Sequence, residues 1–287
     1  MPCLGAHMSI QDGLHMAVER GHSIGCEAIQ VFTRNASRWK SKKRTPEELD
    51  LYRQALARTS IHLVVAHAIY LINLASPEDD VRAMSNDAFR EELGRCHEAG
   101  IPYLVIHPGS HKGRGLETGM ARIAQGIHQA YAEHPEYTVV TLLENTAGQG
   151  DTIGRTFEEL AGLTAQIVET SRIGYCFDTA HALASGYELR TREGYEETFA
   201  RLDRILGLDK LYCFHLNDSK YDLGDERDRH QHIGQGYLGV EAFRMLLNDP
   251  RFAELPMLLE TPKSEDMHED VESLALLRSL IPSELPS

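Results

Sequence analysis

Eight short apolar runs, each followed by a longer segment of helical period, succeed one another along the chain with no Pro/Gly/Ser-rich linker or low-complexity tract between them. The runs are rich in Val, Ile, Leu and Tyr. They fall at 2–7 (PCLGAH), 27–32 (EAIQVF), 61–67 (IHLVVAH), 102–107 (PYLVIH), 138–144 (TVVTLLE), 172–178 (RIGYCFD), 210–215 (KLYCFH) and 256–260 (PMLLE), and they predict strands. Helices are expected at 10–20, 45–58, 77–99, 118–133, 155–169, 191–206, 239–247 and 265–280. Thr45, Pro46, Glu47 and Glu48 supply an N-cap, a first-turn proline and dipole-matched acids to the second helix. Ser76, Pro77, Glu78 and Asp79 offer the same to the third, which Gly100 ends.

A helix between two strands returns the chain to the same edge, so the strands run parallel. Eight such units predict an α/β protein, a single closed (β/α)8 TIM barrel over 1–287, and 287 residues suit a fold that uses roughly 250. An open doubly wound sheet would more often carry a Gly-rich phosphate loop after its first strand, and none stands there. A hydrophobic content of 42% excludes a disordered chain. No run approaches the ~18 apolar residues of a membrane span. Residues 1–7 lack the charged and apolar regions of a signal peptide, and the protein is expected to be soluble and cytoplasmic. Cys3, Cys26, Cys96, Cys176 and Cys213 are odd in number and scattered without a C-x-x-C, so they read as reduced core residues. Any bound metal should then be held by His and carboxylate.

In a (β/α)8 barrel the C-terminal strand ends converge on one face. The residues that end the eight runs are His7, Phe32, His67, His107, Glu144, Asp178, His215 and Glu260, and seven of these eight are metal-ligand types. His181 follows the sixth strand; Asp228, His230 and His232 follow the seventh. A single His or Asp at a strand end is more often a hydrogen-bonded cap. Four carboxylates meeting in one pocket, however, need compensating positive charge, and imidazoles among them suit zinc or another transition metal better than magnesium or calcium. His67, His107, His181, His215, His230, Glu144, Asp178, Asp228 and Glu260 make nine donors, too many for one tetrahedral ion, so a cluster of two or three is expected. Metal pairs suit in-line displacement at phosphorus, so phosphate-ester hydrolysis is the first expectation.

The chain has 29 Lys+Arg against 43 Asp+Glu, a net charge of -14. Against that background Arg34, Arg38, Lys40, Lys42, Lys43 and Arg44 follow the second strand without an acid among them. His111, Lys112 and Arg114 follow the fourth strand, and Lys220, Arg227 and Arg229 the seventh. Basic charge gathered at the metal mouth, with Trp39 interleaved, points to a polyanion groove.

These residues resemble the endonuclease IV family of apurinic/apyrimidinic endonucleases. The resemblance runs over nearly the whole chain, through GAHMS at 5–9, QVFTRN at 30–35, AHAIYLINLAS at 66–76, HPGSH at 107–111, LLENTAGQG at 142–150, CFDTAHALASGY at 176–187, FHLNDSK at 214–220 and DRHQHIGQG at 228–236. It implies a TIM barrel with three zinc ions, manganese being admissible at one position, that cleaves duplex DNA 5′ to abasic sites. His67 and His107 would hold one ion. Glu144, the expected catalytic residue, would bridge it to a second held by Asp178, His215 and Glu260, and His181, Asp228 and His230 would hold the third. His7 and His111 would contact phosphate or support the ligands, and Asn35, Arg38, Lys42, Lys43 and Tyr70 would meet DNA. Family members commonly carry an Arg two places before the loop Trp; here that place is Ser37, and Arg38 lies next to Trp39.

A single-metal sugar isomerase or epimerase of the xylose-isomerase type would use residues in the places of Glu144, Asp178, His215 and Glu260, but has no need of the other five donors. A module that grips damaged DNA without cutting it would not need open metal positions. A barrel with one open face is expected to work as a monomer.

Overall fold

The computed structural model describes residues 2–282, and the expected strands close into one parallel barrel in sequential order. They are β1 (Cys3–His7), β2 (Ala28–Phe32), β3 (Leu63–His67), β4 (Tyr103–Ile106), β5 (Val140–Glu144), β6 (Ile173–Asp178), β7 (Leu211–Leu216) and β8 (Pro256–Leu259). β8 pairs back onto β1, with Cys3 opposite Pro256 and Ala6 opposite Leu259. No helix among the described residues is long and apolar enough to cross a membrane.

Successive side chains on a strand face opposite sides, so each strand feeds two layers. One row, Ala28, Val65, Val105, Leu142, Cys176, Cys213 and Leu258, fills the barrel interior as an apolar plug. The alternate row, including Leu4, Ile29, Val64, Leu104, Leu143, Phe177, Phe214 and Met257, packs outward against the helices. On β1 the plug position is Gly5, where a Cβ would lie 1.7 Å from the Ala28 carbonyl oxygen, so no side chain fits there. Two residues beyond the plug the same inward face carries His7, Gln30, His67, His107, Glu144, Asp178, His215 and Glu260. The polar layer therefore lies on a dry floor.

The helices around the barrel are α1 (Leu14–Ser23), α2 (Pro46–Arg58), α3 (Asp79–Ala99), α4 (Leu116–Glu133), α5 (Phe157–Thr164), α6 (Thr179–Ala184), α7 (Arg192–Leu206), α8 (Gly239–Leu247) and α9 (His268–Ser279). Thr45 caps α2 as expected, its hydroxyl accepting from the Glu48 amide while the Glu48 carboxylate accepts from its own. α3 departs from the expectation: Glu78 holds the N-cap position and Ser76 instead accepts the Glu78 amide in the turn before it. α5 ends at Thr164, five residues short of the expected 169. The short α6 and two ribbons, Gly109–Ser110 with Thr152–Ile153 and Asp218–Ser219 with His230–Gln231, were not legible as periodic segments.

The basic loop after β2 does not turn all its cations outward. Arg34 is fully buried: its Nε donates to Glu92 at 2.7 Å, its Nη1 to Glu91 at 2.8 Å and to the Trp39 carbonyl at 2.9 Å. Thr33 also hydrogen-bonds Glu92, Arg44 donates to the Thr33 carbonyl, and Arg95 donates to the Ser41 and Lys42 carbonyls. Arg34 and Arg95 thus pin the loop to α3, and Arg44 ties it to its own start; Arg34 is removed from the expected polyanion groove by the pair of acids, Glu91 and Glu92, on the facing helix. Arg34→Ala leaves Glu92 a buried carboxylate without its partner, and should cost about 3–5 kcal/mol in urea unfolding. Adding Glu92→Gln should recover part of that loss.

Candidate metal centre

Glu144 ends β5 with no exposed surface, and four imidazoles close on it. His67 and His107 each place Nε2 3.3 Å from its Oε2; His181 and His215 place Nδ1 3.2 and 3.1 Å from its Oε1. Burial opposes ionisation of Glu144, but the surrounding imidazoles, His215 first, hold its carboxyl well below the usual range. Burial likewise works against charge on His181 and His215. Asp178 for the first, Glu260 for the second, and Glu144 for both hold these rings well above the ordinary imidazole value. Protons here balance buried carboxylates, a role that divalent cations can take over while displacing them.

Asp178 ends β6 and caps α6, its Oδ1 accepting from the His181 amide at 2.7 Å. That cap sets His181 one turn along, facing back to the centre. The ribbon after β7 brings in the remaining donors: His230 Nε2 lies 3.7 Å from Asp178 Oδ2 and 3.6 Å from Asp228 Oδ1, and His181 Nε2 lies 3.2 Å from that same Asp228 oxygen. Neither Nε2 has a hydrogen-bond partner of acceptable geometry, although both are buried. Buried polar atoms are seldom left so, and two orphaned imidazole nitrogens converging on one carboxylate fit a cation. Asp218 holds the ribbon's return, its carboxylate accepting from the amides of Gly234, Gly236 and Leu238.

The donors fall into three overlapping sets, His67/His107/Glu144, Glu144/Asp178/His215/Glu260 and Asp178/His181/His230, each with ligand atoms within 4.8 Å of one another. The nine residues singled out in the sequence meet in one place. The sharing is wider than expected: Asp178 as well as Glu144 belongs to two sets, with Asp228 alongside the third. Orienting groups were missed in the sequence. Asn217 donates to Asp178 Oδ2 at 2.6 Å and accepts the Glu260 amide at 3.0 Å; Asn145 accepts the Asp178 amide at 2.7 Å and donates to the Asp178 carbonyl. Their signal was a buried amide within two residues of a ligand, in LLENTA and FHLND.

Over the donors lies a cavity of about 380 Å³ lined also by Tyr70, Lys220, Arg229 and Pro262. Tyr70 is 69% exposed and meets Phe32 edge-on at 5.2 Å. His7 and Asn35 share a neighbouring cavity of about 650 Å³ with Ser9, Gln11, Phe32 and Lys263. Asn35 also accepts from the amide and hydroxyl of Ser37, fixing the loop. Arg38 and Lys42 are exposed. Lys43 lines a different groove, with Arg90, Arg95, Glu98 and Tyr137, that contains none of the donors, because the loop is drawn against α3. His111 is set into the turn before α4, where its Nδ1 accepts the Gly115 amide at 3.3 Å. Lys112 pairs with Glu78 and Arg227 with Asp225, which leaves Lys220 and Arg229 as the cations lining the metal cavity.

A family description, xylose isomerase-like TIM barrel, matches residues 18–280. A protein of Chloroflexus aurantiacus named "Probable endonuclease 4" is 54% identical over 281 residues, spanning 98% of this chain and 99% of its own. The chain belongs to the endonuclease IV family. Among solved structures, endonuclease IV from Thermus thermophilus matches with a TM-score of 0.86 at 33% identity, covering 97% of this chain and 98% of that one. A D-tagatose 3-epimerase-like protein reaches a TM-score of 0.69 at 18% identity over 96% of each chain, a likeness of fold.

Three donor sets predict how metal content responds to substitution. His230→Ala, confined to one set, should lower the divalent metal per chain by about one ion. Glu144→Gln, shared by two sets, should lower it by more. Elemental analysis of both variants beside the parent checks this, and equal losses would contradict the sharing.

Proposed function

We propose that this member of the endonuclease IV family cleaves the backbone of duplex DNA on the 5′ side of abasic sites, leaving a 3′-hydroxyl and a 5′-deoxyribose phosphate, and that it also clears 3′-blocking groups. Membership of the family makes it a nuclease of the DNA-repair class. In this reading it acts in the cytoplasm as a monomer. Three zinc ions are held by His67, His107, Glu144, Asp178, His181, His215, Asp228, His230 and Glu260, with manganese acceptable at one position.

The observation that carries the reading is Glu144, a fully buried carboxylate with both oxygens facing imidazoles and a place in two donor sets. Divalent ions held in this way activate water at neutral pH and offset the charge that gathers on phosphate during in-line displacement. The protein's own groups supply the rest. Glu144 fixes the donor sets side by side, and the apolar plug beneath excludes water from below. Lys220 and Arg229 give the metal cavity a cationic wall in a protein of net charge -14, so backbone phosphates are drawn to this one face. Tyr70, exposed and lining the cavity, is the ring we assign to the gap left by a missing base, which is cheapest to enter at the lesion.

The sugar-isomerase alternative shares the Glu144/Asp178/His215/Glu260 set, but gives no role to the His67–His107 pair or to the orphaned nitrogens of His181 and His230. A binder that does not cut would not need an open cavity above its metal donors.

Incubation with a duplex containing one synthetic abasic site should give a single nick 5′ to the lesion. Turnover of a ketose without nicking would overturn the proposal. Glu144→Gln should abolish nicking while DNA affinity stays within a few fold; activity within about tenfold of the parent, only ~1.4 kcal/mol of barrier, would contradict its assigned role. Affinity measurements separate grip from lesion recognition. Lys220→Ala and Arg229→Ala should weaken abasic and intact duplexes alike and flatten the salt dependence by about one unit each. Tyr70→Ala should instead reduce the preference for abasic DNA at a fixed salt concentration.

A further inference from the structure

Gln30 is the one member of the inward polar layer that is neither an acid nor a histidine, and it is fully buried at the centre of β2. Its amide touches three neighbours, His7 on β1, His215 on β7 and Glu260 just past β8. Nε2 lies 2.5 Å from Glu260 Oε1 and 3.1 Å from His7 Nδ1, while Oε1 lies 2.8 Å from His215 Nε2. Two donor hydrogens and one acceptor oxygen are thereby all used, leaving no group of this amide unmatched.

The orientation of the amide follows from the carboxylate. An ionised carboxylate accepts only, so the NH2 side must face Glu260; the flipped amide would set oxygen against oxygen. Gln30 Oε1 then faces His215, and His215 must donate from Nε2. The other ring nitrogen, Nδ1, faces Glu144 Oε1 at 3.1 Å and Glu260 Oε2 at 3.2 Å, where it donates while it carries a proton and would offer its lone pair to a cation that displaces that proton. His7, accepting at Nδ1, carries its proton on Nε2 when neutral. That explains why His7 stands in the inward layer without belonging to any of the three donor sets of the centre.

We infer that Gln30 is a positioning residue of this centre: one buried amide fixes the Nε2–H form of His215, presents its Nδ1 to the set shared with Glu144, Asp178 and Glu260, and docks Glu260 beside it. A neutral amide does this without adding to the negative charge that the four carboxylates already gather. Hydrogen bonds that orient a ligating imidazole and a ligating carboxylate commonly govern metal affinity by 10- to 100-fold, and here one side chain makes both.

The inference rests on the metal reading above, and its test separates the two. Zinc affinity is measured by competition with a chromophoric chelator, and the ring of His215 is read by nitrogen-detected NMR on zinc-loaded protein with labelled histidine, assigned with a His215→Asn control. The parent should retain zinc and show His215 protonated at Nε2 and ligated through Nδ1. Gln30→Met, of similar volume but without hydrogen bonds, should weaken zinc binding about 10- to 100-fold and lose the protected Nε2–H signal. Gln30→Glu keeps an acceptor for His215 but sets a carboxylate against Glu260, so it should retain the Nε2–H signal while binding zinc differently from the parent. A parent in which His215 ligates through Nε2 overturns the inference even if no variant folds, and so does a folded Gln30→Met with unchanged affinity and an unchanged ring signal. A parent that retains no zinc overturns the metal reading itself.

Discussion

A closed parallel barrel can send only every second side chain inward, and on each strand of this protein a single step of two residues carries the chain from an apolar plug to a polar layer. Val65 is followed by His67, Val105 by His107, Leu142 by Glu144, Cys176 by Asp178, Cys213 by His215 and Leu258 by Glu260. Sheet closure turns six distant pairs into two stacked rings. The lower ring is dry and rigid, which holds the upper ring in register and raises the electrostatic stakes of whatever charges it bears.

The upper ring bears more negative charge than a buried space tolerates without compensation. Four imidazoles face Glu144 and hold its carboxyl below the usual range, and the facing acids hold His181 and His215 above the ordinary imidazole value. Cations could replace the shared protons of such a network, and the unpartnered nitrogens of His181 and His230 are where one would fit. In the proposed reading the acidic chain would concentrate positive charge at the site that takes the phosphate, and the rim adds Lys220 and Arg229.

The strands and the nine donors were legible because each donor terminates or closely follows an apolar run, a pattern that survives any error of one or two residues in the boundary. The second run ends in Phe32, but the inward side chain of β2 is Gln30, two residues up from Ala28, so the end of the run does not mark it. Asn145 and Asn217 were overlooked for a related reason: they orient ligands from the next positions in the loops and carry no charge of their own. A run such as 34–44 shows how many cations are present but not which face acids elsewhere, and Glu91 and Glu92, more than fifty residues away, decide the fate of Arg34. The ribbon that brings in His230 depends on Asp218 gathering the amides of Gly234, Gly236 and Leu238, a long-range closure with no periodic signature.

The proposed chemistry requires that one buried carboxylate join neighbouring cations. Anomalous diffraction at the zinc edge from crystals of the loaded protein addresses this directly. Three peaks are expected, one on each donor set, with Glu144 in contact with two of them. A single peak on Glu144, Asp178, His215 and Glu260, with His67, His107, His181 and His230 left bare at saturating zinc, would contradict it and favour the single-metal alternative.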